Sequence, residues 1–243
     1  MPYRRLPNTD NARLKALQTA LSKGKEIPPF KLAFTQKSLQ KTQTFLTRFE
    51  KAIILHKQAQ SRQVENNKKY QKVLKKAKLF ISHFIQVMNM AITRSELPAS
   101  TRISFGFNEN DKALPMLVSE KDIIYWGKKL LDGESFRTLQ RQTPISNPTI
   151  AVVKVRYEQF LEAHRFQQIL KERNNRALEK LSALRDEADE IILNIWNEVE
   201  SSYNDLPDNL KRERAKEYGL VYIYRKNEKD QITFLDSGQK NTG

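Results

Sequence analysis

Apolar residues recur every three or four positions along most of the chain, which is the spacing of an amphipathic α-helix. The first such stretch follows Asn8, Thr9 and Asp10, any of which can cap a helix, and Pro28 and Pro29 prevent it from continuing. Residues 1–30 therefore predict an N-terminal helix followed by a connector.

Two longer apolar stripes are each interrupted by a pair of asparagines. The first spans residues 31–97 and contains Asn66 and Asn67, and the second spans residues 148–204 and contains Asn174 and Asn175. Asparagine is enriched in turns and uncommon inside helices. We therefore interpret each stripe as a hairpin of two antiparallel helices joined at its Asn pair.

The two predicted hairpins correspond to each other at an offset of 108 residues. Residues 45–95 and 153–203 share eight identical positions in 51, more than composition predicts, and the Asn pairs coincide. An internal duplication is favoured, with a chance match as the alternative. Since a two-helix unit cannot cover its own apolar stripe, the pattern predicts one four-helix bundle domain over residues 31–204.

Smaller elements are predicted outside the hairpins. Residues 98–147 form an insertion with a short helix that is opened by a capping motif at Ser119 and closed by Gly133. Residues 205–243 predict a helix and a small β-hairpin, with strands at 220–224 and 231–235. The predicted fold class is mainly α.

Charge is distributed unevenly along the chain. The 243 residues contain 43 Lys or Arg and 28 Asp or Glu, a net charge of +15. Residues 1–100 hold 20 of the basic and 5 of the acidic residues, whereas residues 101–243 are balanced. This segregation favours a local electrostatic role in the N-terminal part, with drift in surface composition as the alternative.

The basic residues include a row at helical spacing. Its members alternate with Tyr70, Leu74, Ala77 and Ile81 of the apolar stripe, which places them on a common outward face. We take six residues as candidate contacts to an anionic partner: Lys68, Lys72, Lys75, Lys76, Arg4 and Arg5. The alternative is that the lysines form an ordinary solvated helix face.

Common catalytic and cofactor-binding patterns are absent from the sequence. Without cysteine there is no thiol nucleophile and no Cys-ligated metal, and the isolated glycines form no phosphate-binding loop. We expect no catalytic, cofactor-binding or metal-binding residues and no cofactor. An enzyme would need a cavity at the insertion, lined by Tyr125, Trp126 and a histidine.

His56 and His164 lie on their apolar stripes at matching positions. They are therefore a candidate core polar pair. Facing each other, the two imidazoles could bind a metal ion or respond to pH. In the alternative interpretation, each is a half-buried side chain hydrogen-bonded to a neighbour. The Glu-x-x-His motif of di-iron bundles is absent, since Ile53 and Leu161 stand three residues before the histidines.

Two segments resemble a known family. The opening YRRLPNTD at 3–10 and the block KAKLFISHFIQ at 76–86 are similar to an uncharacterised family of bacterial helical-bundle proteins with no known activity. The resemblance covers about the first 90 residues and implies a bacterial setting. It assigns no role to any residue.

These observations favour a non-enzymatic interaction or structural protein whose basic N-terminal half docks an acidic partner. The alternative is a nucleic-acid-binding protein that uses the Lys68–Lys78 helix face. Association with a second copy is compatible with both. With no apolar run of about 18 residues and no signal-peptide pattern, we expect a cytoplasmic protein without membrane association.

Overall fold

The computed structural model describes residues 2–224 and is mainly helical, as the apolar spacing predicted. The elements, in chain order, are β1 (Tyr3–Arg4), α1 (Asp10–Glu26), a 3-10 turn (Pro29–Lys31), α2 (Gln36–Thr93), α3 (Thr101–Ser104), α4 (Glu120–Leu139), α5 (Ile150–Ser182), α6 (Arg185–Ser202), α7 (Asp208–Lys216) and β2 (Tyr222–Ile223).

The chain divides into two compact units. One, called the terminal unit below, comprises residues 1–58 and 175–243, of which 2–58 and 175–224 are described. The other, called the central unit, comprises residues 59–174. The boundaries between them fall inside α2 and inside α5.

In the terminal unit, α1, the first part of α2, α6 and α7 surround one apolar core. Leu17, Phe49 and Trp196 are almost completely buried there. In the same unit, the short strands β1 and β2 pair antiparallel, with Arg4 opposite Tyr222. The strand predicted at 220–224 is therefore present, and β1 is its partner. The second predicted strand, at 231–235, lies outside the described residues.

The central unit contains the rest of α2, α3, α4 and α5 up to residue 174. Its core confirms the apolar stripe predicted from the sequence, since Ala77, Ile81, Phe84 and Met88 on α2 are all buried. Leu130 of α4 and residues 153, 157 and 160 of α5 also belong to this core.

The turns predicted at the two Asn pairs are wrong. Asn66 and Asn67 lie within the continuous helix α2, and Asn174 and Asn175 lie within α5, which ends only at Ser182. An asparagine costs a helix well under about 1 kcal/mol relative to alanine, so packing of the flanking apolar residues outweighs two of them.

The first Asn pair has a contact of its own inside the central unit. Asn66 donates from its amide nitrogen to Oε1 of Gln167 at 2.7 Å, and the same glutamine donates to Oδ1 of Asn67 at 3.4 Å. Gln167 is 2% exposed. The asparagines therefore satisfy a buried polar side chain on α5, and the chain does not reverse there.

Helix α4 begins as predicted but continues further than predicted. Ser119 accepts a hydrogen bond from the amide of Asp122, and the Asp122 carboxylate accepts from the amide of Ser119, so the capping box is complete. The helix passes through Gly133 to Leu139. Gly133 was predicted to end the helix, but it is needed for a close contact: the Ser104 carbonyl oxygen and the Phe105 ring each lie 2.5 Å from where a Cβ atom would stand.

Replacement of Gly133 by alanine is expected to lower the free energy of unfolding of the central unit by about 1–2 kcal/mol. Overpacking against the backbone of α3 costs about 1–3 kcal/mol, which exceeds the gain of about 1 kcal/mol in helix propensity. Ser135→Ala, on the exposed side of the same helix, should instead be neutral or slightly stabilising. Urea unfolding followed by circular dichroism compares the two variants, and equal stabilities would contradict the close contact.

Within residues 2–224, no helix combines the length and the apolar composition needed to cross a membrane. The compartment stays a prediction.

Candidate functional site

The predicted row of lysines lies on the exposed side of α2 in the central unit. Lys68, Lys72, Lys75 and Lys76 are all exposed, while Tyr70 between them is 2% exposed and faces the core. We call these four lysines the lysine face. The structure therefore places all four side chains in solvent along about two turns of one helix.

No carboxylate of the described residues lies within 4 Å of any of the four ammonium groups of the lysine face. The neighbouring Lys69 is different, because its Nζ lies 3.4 Å from Oε1 of Glu65 one turn earlier. The lysine face is thus a concentrated positive charge without an internal counter-charge. Leu79, one turn further along α2, is 62% exposed.

The two predicted arginine contacts belong to the terminal unit and differ from each other. Arg4 donates to Oε2 of Glu200 at 2.9 Å, and its guanidinium lies 6.0 Å from the ring centroid of Trp196. Arg5 is exposed, and its backbone amide extends the strand pairing by donating to the carbonyl of Val221 at 2.8 Å. Arg4 is therefore engaged inside the unit, whereas the Arg5 side chain faces solvent.

Other N-terminal cations are also paired inside the terminal unit, with carboxylates of α6. Arg13 makes two hydrogen bonds of 2.8 Å to Asp189, and this hydrogen bonding raises the pKa of the guanidinium. Arg48 lies 2.6 Å from Glu187, and Lys41 lies 2.9 Å from Glu190.

Glu187, Asp189 and Glu190 of α6 each pair with a cation of α1 or α2. Solvation is not their whole role, because they neutralise Arg13, Lys41 and Arg48 of the basic N-terminal part. The charge excess of residues 1–100 thus overstates the number of cations available to a partner. The cations that have no carboxylate of the described residues within 4 Å include the four lysines of the lysine face.

The two predicted core histidines lie in different units. His164, in the central unit, has its Nδ1 3.2 Å from the Tyr70 hydroxyl and 3.4 Å from Oε2 of Glu120. The Tyr70 hydroxyl donates to the other oxygen of Glu120 at 2.6 Å. Burial raises the pKa of Tyr70, and the hydrogen bond to Glu120 raises it further. The neighbours of this imidazole are therefore a tyrosine and a carboxylate.

His56 lies on α2 in the terminal unit and is half-buried. For residues 2–224, no group of three or more histidine, aspartate or glutamate side chains is arranged to hold a metal ion. The polar cluster around His164 links three helices of the central unit: Tyr70 lies on α2, Glu120 begins α4 and His164 lies on α5. It therefore helps to hold these helices together.

A cleft lies along the outer side of α4 in the central unit. It has a volume of about 680 Å³, and its walls include Ser104, Tyr125 and Asp132 together with Lys121, Lys128 and Lys129. The enzyme alternative expected Tyr125, Trp126 and a histidine around a cavity here. Tyr125 lines the cleft, but Trp126 instead stacks on Phe107 with 4.5 Å between ring centroids, and no histidine is among the lining residues.

The residues of this cleft could have been recognised from their spacing. Tyr125, Lys128 and Lys129 lie four, seven and eight positions after Lys121, so a helix over 120–139 places them on one side. The segmental charge count concealed them, because residues 101–243 are neutral as a whole.

No protein-family model, curated protein sequence or solved structure matches the chain, so the assignment of function rests on the geometry above, and the family resemblance of the two N-terminal segments stays an expectation.

Proposed function

We propose that the protein is a non-catalytic docking protein that binds an acidic partner protein through the lysine face of α2. The observation that supports this most directly is that four lysines, unpaired among the described residues, are concentrated within nine residues on one side of α2. Arg4, Arg13 and Arg48 of the terminal unit have carboxylate partners within the chain, and the lysine face has none. An unneutralised cationic row attracts anions and accelerates their encounter with the surface.

The arrangement of the lysine face suits a partner surface of carboxylates. Residues 68–76 rise about 12 Å along the helix axis at about 1.5 Å per residue, so four positive charges fall within that length. A partner helix with acidic residues three and four positions apart would present negative charges at the same spacing. Charge complementarity of this kind determines which partner binds more than how tightly it binds.

Leu79 favours a protein over a nucleic acid as the partner. Its side chain is 62% exposed one turn beyond Lys75 and Lys76, where it offers an apolar contact beside the charges. Protein interfaces combine such apolar contacts with a polar rim. Single-stranded nucleic acids are commonly bound with aromatic side chains that stack on the bases, and the lysine face itself contains none.

The test is a titration of labelled poly-glutamate with the full chain and with a variant in which Lys68, Lys72, Lys75 and Lys76 are all glutamine. We expect the variant to bind at least about fourfold more weakly, since four surface ion pairs at about 0.2–1 kcal/mol each total about 0.8–4 kcal/mol. Wild-type binding should also weaken from about 50 mM to about 200 mM salt because the charges are exposed.

A matched control removes the same net charge elsewhere. Lys15, Lys25, Lys37 and Lys51 of the terminal unit are also exposed and unpaired within residues 2–224 but are spread along α1 and α2 instead of forming a row, so the fourfold change to glutamine there should weaken poly-glutamate binding much less. Equal losses in both variants, or no wild-type binding at about 50 mM salt, would overturn the proposal. Tighter binding to a 20-nucleotide DNA or RNA than to poly-glutamate, lost in the lysine-face variant, would replace the acidic protein by a nucleic acid.

A further inference from the structure

The cleft beside α4 combines three features that a solvated helix face does not normally share. It is concave, with a volume of about 680 Å³, which falls within the range of about 300–1,000 Å³ typical of small-molecule sites. It is lined by three lysines, and it contains an aromatic ring that is 54% exposed. These features lie in the central unit and are separate from the residues of the lysine face.

The lysines of the cleft carry a net positive charge. Lys121, Lys128 and Lys129 are exposed, and within residues 2–224 none has a carboxylate within 4 Å, although Asp132 lines the same cleft. Three ammonium groups thus share a concave surface with one carboxylate. An anionic group entering the cleft would gain their attraction without first displacing an internal ion pair.

The aromatic ring of the cleft is supported from behind. Tyr125 meets Trp126 edge to face at a centroid distance of 5.3 Å, and Trp126 is stacked on Phe107 with an interplanar angle of 11°. The ammonium group of Lys129 lies 5.7 Å from the centroid of Tyr125. The tyrosine is therefore a positioned ring beside a cation, and planar groups stack on such rings.

The remaining polar groups suit a ligand that has hydroxyl or amino groups. The side chain of Ser104 offers a hydroxyl at the cleft, and the Asp132 carboxylate can accept hydrogen bonds from a sugar hydroxyl or an exocyclic amine. The close contact of Gly133 with α3 brings Ser104 up to α4 and so forms this wall.

We propose that this cleft is a nucleotide-binding site. The base would stack on Tyr125, and the phosphate would lie among Lys121, Lys128 and Lys129. The chemistry is that of one nucleoside phosphate, which can come from a free nucleotide or from one residue of a single-stranded nucleic acid. The site does not depend on the acidic partner proposed above, since different residues form it.

The experiment titrates the full chain with AMP, with inorganic phosphate and with a 12-nucleotide oligothymidylate, by calorimetry at about 50 mM salt. We expect saturable AMP binding that Tyr125→Leu weakens about 5- to 150-fold, the range measured for loss of one stacked base. Tyr125→Phe keeps the ring and should retain binding. The double change Lys128→Gln and Lys129→Gln should weaken AMP binding and make it less dependent on salt concentration.

Controls separate this site from general charge and from the lysine face. Lys112 and Lys171 are exposed lysines of the same unit outside the cleft, and their double change to glutamine should leave AMP binding unchanged. The fourfold lysine-face variant should also bind AMP normally, so the two proposals can fail independently. Binding of AMP at least as tight as that of the oligonucleotide identifies a free nucleotide as the source, and much tighter oligonucleotide binding that Tyr125→Leu weakens identifies a strand.

Three results would overturn the nucleotide site. The first is no saturable binding of AMP or of the oligonucleotide at millimolar concentration. The second is equal affinity for AMP and inorganic phosphate with no effect of Tyr125→Leu, because the ring would then have no role. The third is a loss of AMP binding in the Lys112→Gln and Lys171→Gln control that is as large as the loss in the Lys128→Gln and Lys129→Gln variant.

Discussion

Replacement of Asn67 by proline is expected to destabilise the central unit by about 3 kcal/mol or more. Asn67 lies far inside α2, where a proline removes a main-chain hydrogen bond and its ring clashes with the carbonyl four residues earlier. If the Asn pair formed a turn between two helices, as the sequence suggested, a proline there would cost much less. Urea unfolding monitored by circular dichroism measures the difference.

Two control variants separate the backbone effect from loss of the asparagine side chain. Asn67→Ala loses only the long 3.4 Å contact with Gln167 and gains helix propensity, so its stability should stay within about 1 kcal/mol of wild type. Gln36→Pro places proline at the first residue of α2, after Thr35, whose hydroxyl accepts from the amide of Ser38 at 3.3 Å. Proline is favoured at that position, and a change within about 1 kcal/mol is expected. Similar stabilities of Asn67→Pro and Asn67→Ala would contradict a continuous α2.

The apolar stripes could be predicted from the sequence because they depend on local geometry. A helix repeats every 3.6 residues, so Ala77, Ile81, Phe84 and Met88 had to share one side of α2, and all four are buried. The capping box at Ser119 was equally local, since its two hydrogen bonds join residues three positions apart.

The ends of the helices were harder to predict, because small local preferences compete with packing. The Asn pairs and Gly133 were taken as ends of helices, yet each lies inside one. In each case the local cost is about 1 kcal/mol or less per residue. A buried glutamine opposite Asn66, or the backbone of α3 against Gly133, exists only after distant parts of the chain have come together.

The pairing of charges could not be predicted from their number in a segment. Arg13 and Asp189 are 176 positions apart in sequence, and they form a two-pronged ion pair in the terminal unit. Part of the basic N-terminal segment is thus paired with carboxylates of its own unit, whereas the electrically balanced remainder contains the three unpaired lysines of the α4 cleft. Net charge indicates how much positive charge exists, and only the structure indicates which cations are available.

The ion pair between Glu134 and Arg137 at the end of α4 is the most deeply buried in residues 2–224. Both side chains are 2% exposed, and the guanidinium lies 2.7 Å from Oε2 of the glutamate. The same guanidinium donates to the carbonyl of Thr143 at 2.7 Å and to the side chain of Gln142 at 3.1 Å. The other oxygen of Glu134 accepts from the backbone amide of Ile145 at 2.9 Å. The pair therefore secures residues 142–145, which follow α4, to the helix.

Replacement of Glu134 by leucine is expected to lower the free energy of unfolding of the central unit by about 3–5 kcal/mol. The substitution leaves the positive charge of Arg137 buried without a counter-charge and leaves the amide of Ile145 without its acceptor. Leucine and glutamate have similar helix propensities, so the effect does not come from α4 itself. Urea unfolding of the full chain, followed by circular dichroism, measures the loss.

The double variant Glu134→Leu with Arg137→Met tests whether the isolated charge causes this loss. Removing both charges should recover part of the stability, because a buried pair replaced by apolar groups is often nearly neutral. Recovery should stay incomplete, since the backbone groups of Thr143 and Ile145 still lose their partners. Arg94→Ala removes an exposed pair with Glu96 in the same unit and should cost less than about 1 kcal/mol. If Glu134→Leu were no less stable than Arg94→Ala, the pair would not be buried. If the double variant were as unstable as Glu134→Leu alone, the lost hydrogen bonds and not the isolated charge would cause the effect.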